Sequence, residues 1–378
     1  MFLADQDLTP NRIETARRRA AAAGELVDLT SSNPTQQGLL FPAEILRDAA
    51  APYWDARRYE PDPRGLPAAR DAIARYYAGR TPALPLSADD VFITASTSEA
   101  YGELFALLTR PGDNVLAPDV TYPLFDHLAE IHEVELRPYA LDESAGWQPD
   151  PATLLRAADA RTRAVLLVSP HNPTGAVVGA RSEALSRLGL PLICDEVFAE
   201  FPFRVEHVPP LGALHPELTV FHLNGISKMF ALPDLKLGWI ALTGPGRAAI
   251  APRLEILNDT LLGANSLVQS MLPALFERGR PFLEHMRDRV RHSIGSALRQ
   301  LGADGRVSAV APDGGYYLFP AIAGWDDDEQ LVLHLLQHGV FVHPGYFYGC
   351  EHGTRIMLSC LTPPETLSAG LSRLLAAL

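Results

Sequence analysis

Lys228 and Lys236 stand eight residues apart in the stretch SKMFALPDLK, and they are the only lysines among 378 residues, against thirty arginines. Arginine serves solvation and carboxylate pairing at least as well as lysine, but it stays protonated. Only lysine can present a neutral amine to a carbonyl, so a lysine retained in an arginine-rich chain points to imine chemistry. Three other stretches could serve such a site. Ala95, Ser96, Thr97 and Ser98 follow the apolar run VFIT and lead into a helical pattern, where hydroxyls and free N–H groups form either an anion cup or a simple N-cap. Asn172 precedes a proline turn in SPHNPTG, and Asp195 and Glu196 close the run LIC, where a carboxylate is partly shielded from water or caps a helix.

The elements that must position these residues are legible as alternating apolar runs and helical patterns. DVFIT, DNVLAP, AVLLVSP, LPLICDE, LTVFHLNG and LGWIAL read as strands, and segments such as SEAYGELFALLTRPGD read as crossover helices ending at Pro-Gly. Such alternation predicts an α/β fold with a mainly parallel sheet. In sheets of this kind ligands sit beyond the carboxyl ends of the strands, where the four polar stretches fall. Near residue 270 the texture changes to a long amphipathic stretch, followed by hairpin-like pieces around PDGGYYLFP and GVFVHPG and by the acidic helix start of WDDDEQLVLHLLQ. At the other end, LTPNRIETARRRAAAAGE reads as a helix with Thr9 as N-cap and Gly24 closing it, its three arginines on a solvated face.

Composition narrows the function classes. A formal net charge of −13 repels phosphate backbones, so nucleic acid is not an expected partner. Cys194, Cys350 and Cys360 show no CxxC spacing, which points to no metal and no disulfide framework. The acidic N-terminus and the lack of any long apolar window predict a cytoplasmic protein that neither crosses nor binds a membrane.

The ordered series TASTSEA, PDVTYP, SPHNPTG, CDEVF, SK, LKLGW and TRIMLSC, from about residue 30 to the C-terminus, resembles the class I and II aminotransferases, fold type I enzymes that use pyridoxal 5′-phosphate (PLP). The resemblance implies a three-layer αβα large domain with a mainly parallel, PLP-binding sheet, plus a smaller α+β domain built from the N- and C-terminal parts. The expected division is residues 1–45 to the small domain, 46–270 to the large domain and 271–378 to the small domain. It also implies transfer of an amino group from an L-amino acid to a 2-oxo acid through a Schiff base on Lys228. Asp195 then matches the carboxylate that pairs with the pyridine nitrogen, Asn172 the residue that bonds the ring O3′ and faces the substrate, and Tyr122 the aromatic stacked on the ring. Ser96, Thr97, Ser98 and Ser227 match the phosphate cup, with Lys236 where the family usually places an arginine. Arg355 matches the arginine that grips the substrate carboxylate, and Asn33 lies in the segment that closes over it. Tyr59 resembles the tyrosine that reaches the phosphate of a neighbouring subunit, which implies a homodimer.

The chain also departs from the pattern. Phe198 stands where a tyrosine usually donates to O3′ and lowers the pKa of the Schiff base, and Gly225 stands where a phosphate-binding serine is common. Lysine at 236 in place of arginine argues for a confined site. The missing tyrosine hydroxyl leaves a second reading open, a PLP-dependent C–S lyase, decarboxylase or aminocyclopropane-type synthase on the same fold; a PLP-sensing regulator is a further alternative, disfavoured by the charge. His343, Tyr346 and Tyr348 near the C-terminal segment either tune the pocket or pack.

Overall fold

The computed structural model describes residues 8–24, 26–179 and 182–378. Seven strands form its central sheet: β1 (Val91–Thr94), β2 (Asn114–Pro118), β3 (Glu135–Tyr139), β4 (Thr162–Val168), β5 (Leu192–Asp195), β6 (Val220–Gly225) and β7 (Gly238–Thr243). Their spatial order is β1-β7-β6-β5-β4-β2-β3, and β7 alone runs against its neighbours. Six of the seven match the apolar runs of the sequence. The seventh, β3, escaped because it is an edge strand, half-buried or exposed along most of its length and interrupted by Pro138.

Strand residues alternate between two cores, the pattern expected when both faces are covered. Ala164, Leu166, Val168, Ile193, Phe221 and Leu223 pack with Ala100, Leu104 and Phe105 of the helix Thr97–Leu108. Val165, Leu167, Leu192, Cys194 and Val220 pack on the other side with Leu154, Leu185 and Leu211. Helix, sheet and helix therefore form three layers.

The long amphipathic stretch becomes two helices, Ser266–Arg278 and Arg280–Leu301, divided at Gly279. A Cβ there would approach the Leu275 carbonyl oxygen to 2.4 Å and the rings of Phe41 and Phe230 to 3.0 Å. Beyond them, Tyr317–Leu318, Ile356–Ser359 and His343–Pro344 form a small antiparallel sheet. Val340–Phe341 pairs in parallel with Val27–Asp28 from the start of the chain. Asp327 caps the helix Asp328–Gln337 as its acidic start predicts, accepting from the Glu329 and Gln330 N–H groups. At the N-terminus the cap is Asn11, not Thr9: its Oδ1 accepts from Glu14 N at 2.8 Å, and the helix Arg12–Ala22 begins two residues later than expected. Arg17 and Arg18 pair with Glu14 on its surface. Among the described residues no helix is long and apolar enough to cross a membrane.

Candidate active site

Sheet register assembles the site. Asp195 at the end of β5 lies beside Val168 of β4 and Leu223 of β6, so the SPHNPTG turn leaving β4 and the lysine segment leaving β6 flank it. Gly238 at the start of β7 lies opposite both Thr94 and Gly225, which draws the hydroxyl cup and the lysine segment to either side of one residue. A Cβ on Gly238 would come within 2.9 Å of the Ser96 carbonyl carbon and 3.0 Å of Thr97 N. Only glycine admits this approach.

The two adjacent carboxylates have different fates. Glu196 is consumed by structure: its Oε1 is 2.8 Å from His222 Nδ1 and its Oε2 is 3.3 Å from Arg80 Nη1, all three side chains being buried. Asp195 is equally enclosed, yet it forms no ion pair among the described residues. Its Oδ2 accepts from the Tyr101 hydroxyl at 3.0 Å and its Oδ1 from Val197 N at 3.0 Å. Burial pushes its pKa up to about 6, against the downward pull of those two donors and of the nearby Lys228 charge. A buried carboxylate with two hydrogen bonds and no counter-ion is suited to receive a cationic ring nitrogen.

Lys228 lies in the short helix Ile226–Met229, directly after β6. Burial holds its ammonium below the ordinary lysine pKa, with the Asp195 charge acting in the opposite direction. Asn172 is buried, and its Oδ1 has no partner among the described residues. Tyr122, 43% exposed, stands edge-on to Phe125 and senses the Asp195 charge, which together with the larger effect of burial raises its pKa.

The hydroxyl cup does two jobs. Ser96 is the N-cap of Thr97–Leu108, its Oγ accepting from Glu99 N at 3.1 Å, while Glu99 reaches back to Ala95 N. Thr97 and Ser98 lie half-buried in the first turn, whose orphan N–H groups and dipole favour an anion. Ser227 is half-buried one residue before Lys228. Gly225 also has a steric reason: a Cβ there would meet the Leu237 carbonyl oxygen at 2.7 Å, so the customary serine has no room.

The remaining expected residues sit in varied surroundings. Lys236 is exposed with φ of 49°, so confinement does not explain lysine in place of arginine. Tyr59 is 76% exposed and lines a separate cavity of about 360 Å³ with Asp62, Asn258 and Gln269. Asn33 Oδ1 accepts from Thr35 N and Thr35 Oγ1, at 3.1 and 2.7 Å, and thereby builds the local turn. Arg355 is buried, with its guanidinium carbon 5.0 Å from the Trp147 ring centre and 5.7 Å from that of Phe319. His343 Nδ1 is 3.0 Å from the Tyr348 hydroxyl, and burial lowers its pKa to about 4, so it stays neutral at physiological pH.

Sequence reasoning missed Tyr101 and the tyrosine pair Tyr316 and Tyr317. The two rings pack edge-on against Phe198, with centres 4.9 and 5.6 Å away. The Tyr316 hydroxyl is buried, which raises its pKa well above the ordinary tyrosine value. Tyr101 was legible in principle, since it lies one helical turn beyond Thr97 in a helix that opens at the site. Its contribution is testable: Tyr101→Phe removes one of two donors to a buried carboxylate and should lower kcat about tenfold with little change in KM. Equal kcat values in steady-state assays would assign Tyr101 to packing alone.

These residues fit PLP: an amine for its aldehyde, a buried carboxylate with no ion pair among the described residues for its ring nitrogen, a buried amide whose oxygen has no partner among them and an anion cup at a helix N-terminus. The family model described as Aminotransferase class I and II matches residues 25–374. Alanine aminotransferase of Mycobacterium tuberculosis (strain H37Rv) is 30% identical, across 95% of this chain and 87% of the relative. Glutamate-pyruvate aminotransferase AlaA of Escherichia coli K12 is 28% identical, across 96% and 92%. The solved alanine aminotransferase from Pyrococcus furiosus superposes with a TM-score of 0.87 at 25% identity, covering 96% of this chain and 94% of that one.

Proposed function

Because the chain belongs to the class I and II aminotransferases, PLP-dependent enzymes that move an amino group from an amino acid to a 2-oxo acid, we propose that Lys228 is the amine that carries the reaction and Asp195 the carboxylate that holds the ring nitrogen protonated. The uncompensated burial of Asp195 is the observation that carries this reading. When bound, PLP supplies an aldehyde that condenses with amines and a ring that delocalises the electron pair left on the substrate Cα. The rest falls to side chains. Lys228 Nζ, with its pKa lowered by burial, is neutral over more of the physiological range than an ordinary lysine and can take a proton from Cα and return it. Asn172 and Tyr122 orient the ring, while Ser96, Thr97, Ser98, Ser227 and Lys236 hold the phosphate. Arg355 grips the substrate carboxylate through its planar fork, and Asn33 lies in the segment that covers it.

The named relatives support glutamate and pyruvate as one substrate pair, whose transfer run in reverse consumes alanine. The exposed Tyr59, which lines one cavity with exposed Leu262, supports a homodimer in which Tyr59 serves the partner's phosphate site. Composition supports a cytoplasmic location, and the pairing of Val27–Asp28 with Val340–Phe341 supports a small domain that joins residues 1–45 and 271–378.

The test is a half-reaction on purified holoenzyme. Adding alanine should bleach the cofactor band near-stoichiometrically and release pyruvate, and 2-oxoglutarate should restore the band. Release of ammonia with no loss of the band would replace transfer by elimination and revive the lyase reading that Phe198 raised.

A further inference from the structure

Arg355 already has a carboxylate on it. Its Nη2 donates to Glu143 Oε2 at 2.5 Å, and Nη1 donates to the Phe319 carbonyl oxygen at 3.3 Å. Its Nε is buried and has no partner among the described residues. Nε and Nη2 form one edge of the guanidinium, the edge that matches both oxygens of a carboxylate. Glu143 meets that edge with a single hydrogen bond and leaves the other donor unmatched.

The two partners differ in freedom. Arg355 is held by burial, by the Phe319 carbonyl and by the rings of Trp147 and Phe319, and its side chain is 7% exposed. The Glu143 side chain is 45% exposed. It projects from the tight turn joining the paired strands Leu141–Asp142 and Gln148–Pro149. That turn is pinned by Asp142 Oδ1, which accepts from Ser144 N and Ser144 Oγ, and by Trp147 N donating to the Asp142 carbonyl oxygen at 2.7 Å. Side-chain rotation alone can therefore carry Glu143 into water with the backbone in place. Its carboxylate is rehydrated on leaving, whereas the buried guanidinium needs another anion in exchange.

We propose that Glu143 is a built-in competitor for the substrate-carboxylate edge of Arg355, covering it between turnovers and yielding to a carboxylate that engages Nε and Nη2 together. This rests on the assignment of Arg355 as the substrate-carboxylate residue. Glu143 thereby sets the threshold for substrate entry: a ligand binds Arg355 with its intrinsic affinity multiplied by the fraction of molecules in which Glu143 has moved away. Amines and 2-oxo compounds lacking a carboxylate cannot displace it, so the device selects for the α-carboxylate before any chemistry occurs.

Calorimetric titration of the holoenzyme with propionate, a bare carboxylate without an amine, tests the competition. Glu143→Gln and Glu143→Ala should each lower the Kd of propionate roughly fivefold, as expected when a partly exposed ion pair no longer holds the site closed. Arg355→Gln should raise that Kd at least about tenfold, and Glu143→Ala should have no further effect in its presence. An unchanged or weaker affinity in both Glu143 variants, with Arg355→Gln still impaired, would overturn the competitor role and make Glu143 a positioning residue. The same tightening in the Arg355→Gln background would overturn it too, as a general charge effect. If Arg355→Gln binds propionate like the unaltered enzyme, the assignment of Arg355 falls, and the competitor role with it.

Discussion

Replacing Lys228 with alanine should reduce transamination by about 10⁴-fold while the protein still folds and still binds PLP. The loss is large because one nitrogen serves as both covalent partner and proton carrier, and the chain's other lysine, Lys236, is exposed in the segment that leads into β7. Folding should survive, since alanine removes a desolvated amine and leaves no unmatched charge behind. Borohydride reduction of the unaltered holoenzyme, followed by peptide mapping, should place the pyridoxyl mass on the peptide containing Lys228, and the alanine variant should yield none. Small primary amines should restore part of the activity of the alanine variant, since the missing function is a nitrogen and not a shape. Lys228→Arg should resist such rescue, because a protonated guanidinium then fills the space. Turnover within tenfold of normal in either variant, or a pyridoxyl label elsewhere, would remove Lys228 from the reaction.

Asp195→Asn should lower kcat by about 10²–10³-fold, the range seen when one preorganised electrostatic group is lost from an active site. PLP affinity should change less, since the phosphate cup and Lys228 remain. A second readout comes from stability. The Asp195 carboxyl rises from 3.8 to about 6 on burial, so the folded protein holds this proton more tightly than the unfolded chain does. The sign follows: in cofactor-free protein this group's contribution is fully present below about pH 4 and is lost as pH rises through about 6. Asparagine has no proton to lose. Cofactor-free Asp195→Asn should therefore gain stability relative to the unaltered protein at pH 7 and show no gain at pH 4, as measured by urea unfolding. With PLP bound, a cation against the carboxylate should flatten this slope in the unaltered protein. A variant with normal kcat, or with the same pH slope as the unaltered protein, would place the carboxylate outside the site.

Much of this molecule is legible along the chain because the signals are local. Apolar runs of four to seven residues become strands once both faces are covered, and the helix after β1 starts at Ser96 because a serine followed three residues later by glutamate satisfies orphan N–H groups. Scarcity singled out Lys228, and the order of short motifs identified its family. The exceptions have local causes too: Asn11 outcompetes Thr9 as a cap, and β3 hides its signal at the sheet edge.

Pairings between distant residues follow other rules. Nothing in CDE distinguishes two neighbouring carboxylates; Arg80 and His222, 116 and 26 residues away from Glu196, claim that one and leave Asp195 with no ion pair among the described residues. The glycine at 225 looks like a lost serine until the Leu237 carbonyl is seen to occupy the space. Arg355 reads as a free guanidinium until folding brings Glu143 to it from 212 residues away. Strand and cap choices depend on a few consecutive residues, so composition and spacing suffice to reveal them. Charge compensation, steric room and competition for one hydrogen-bonding edge depend on through-space distances, which exist only once the chain has closed on itself.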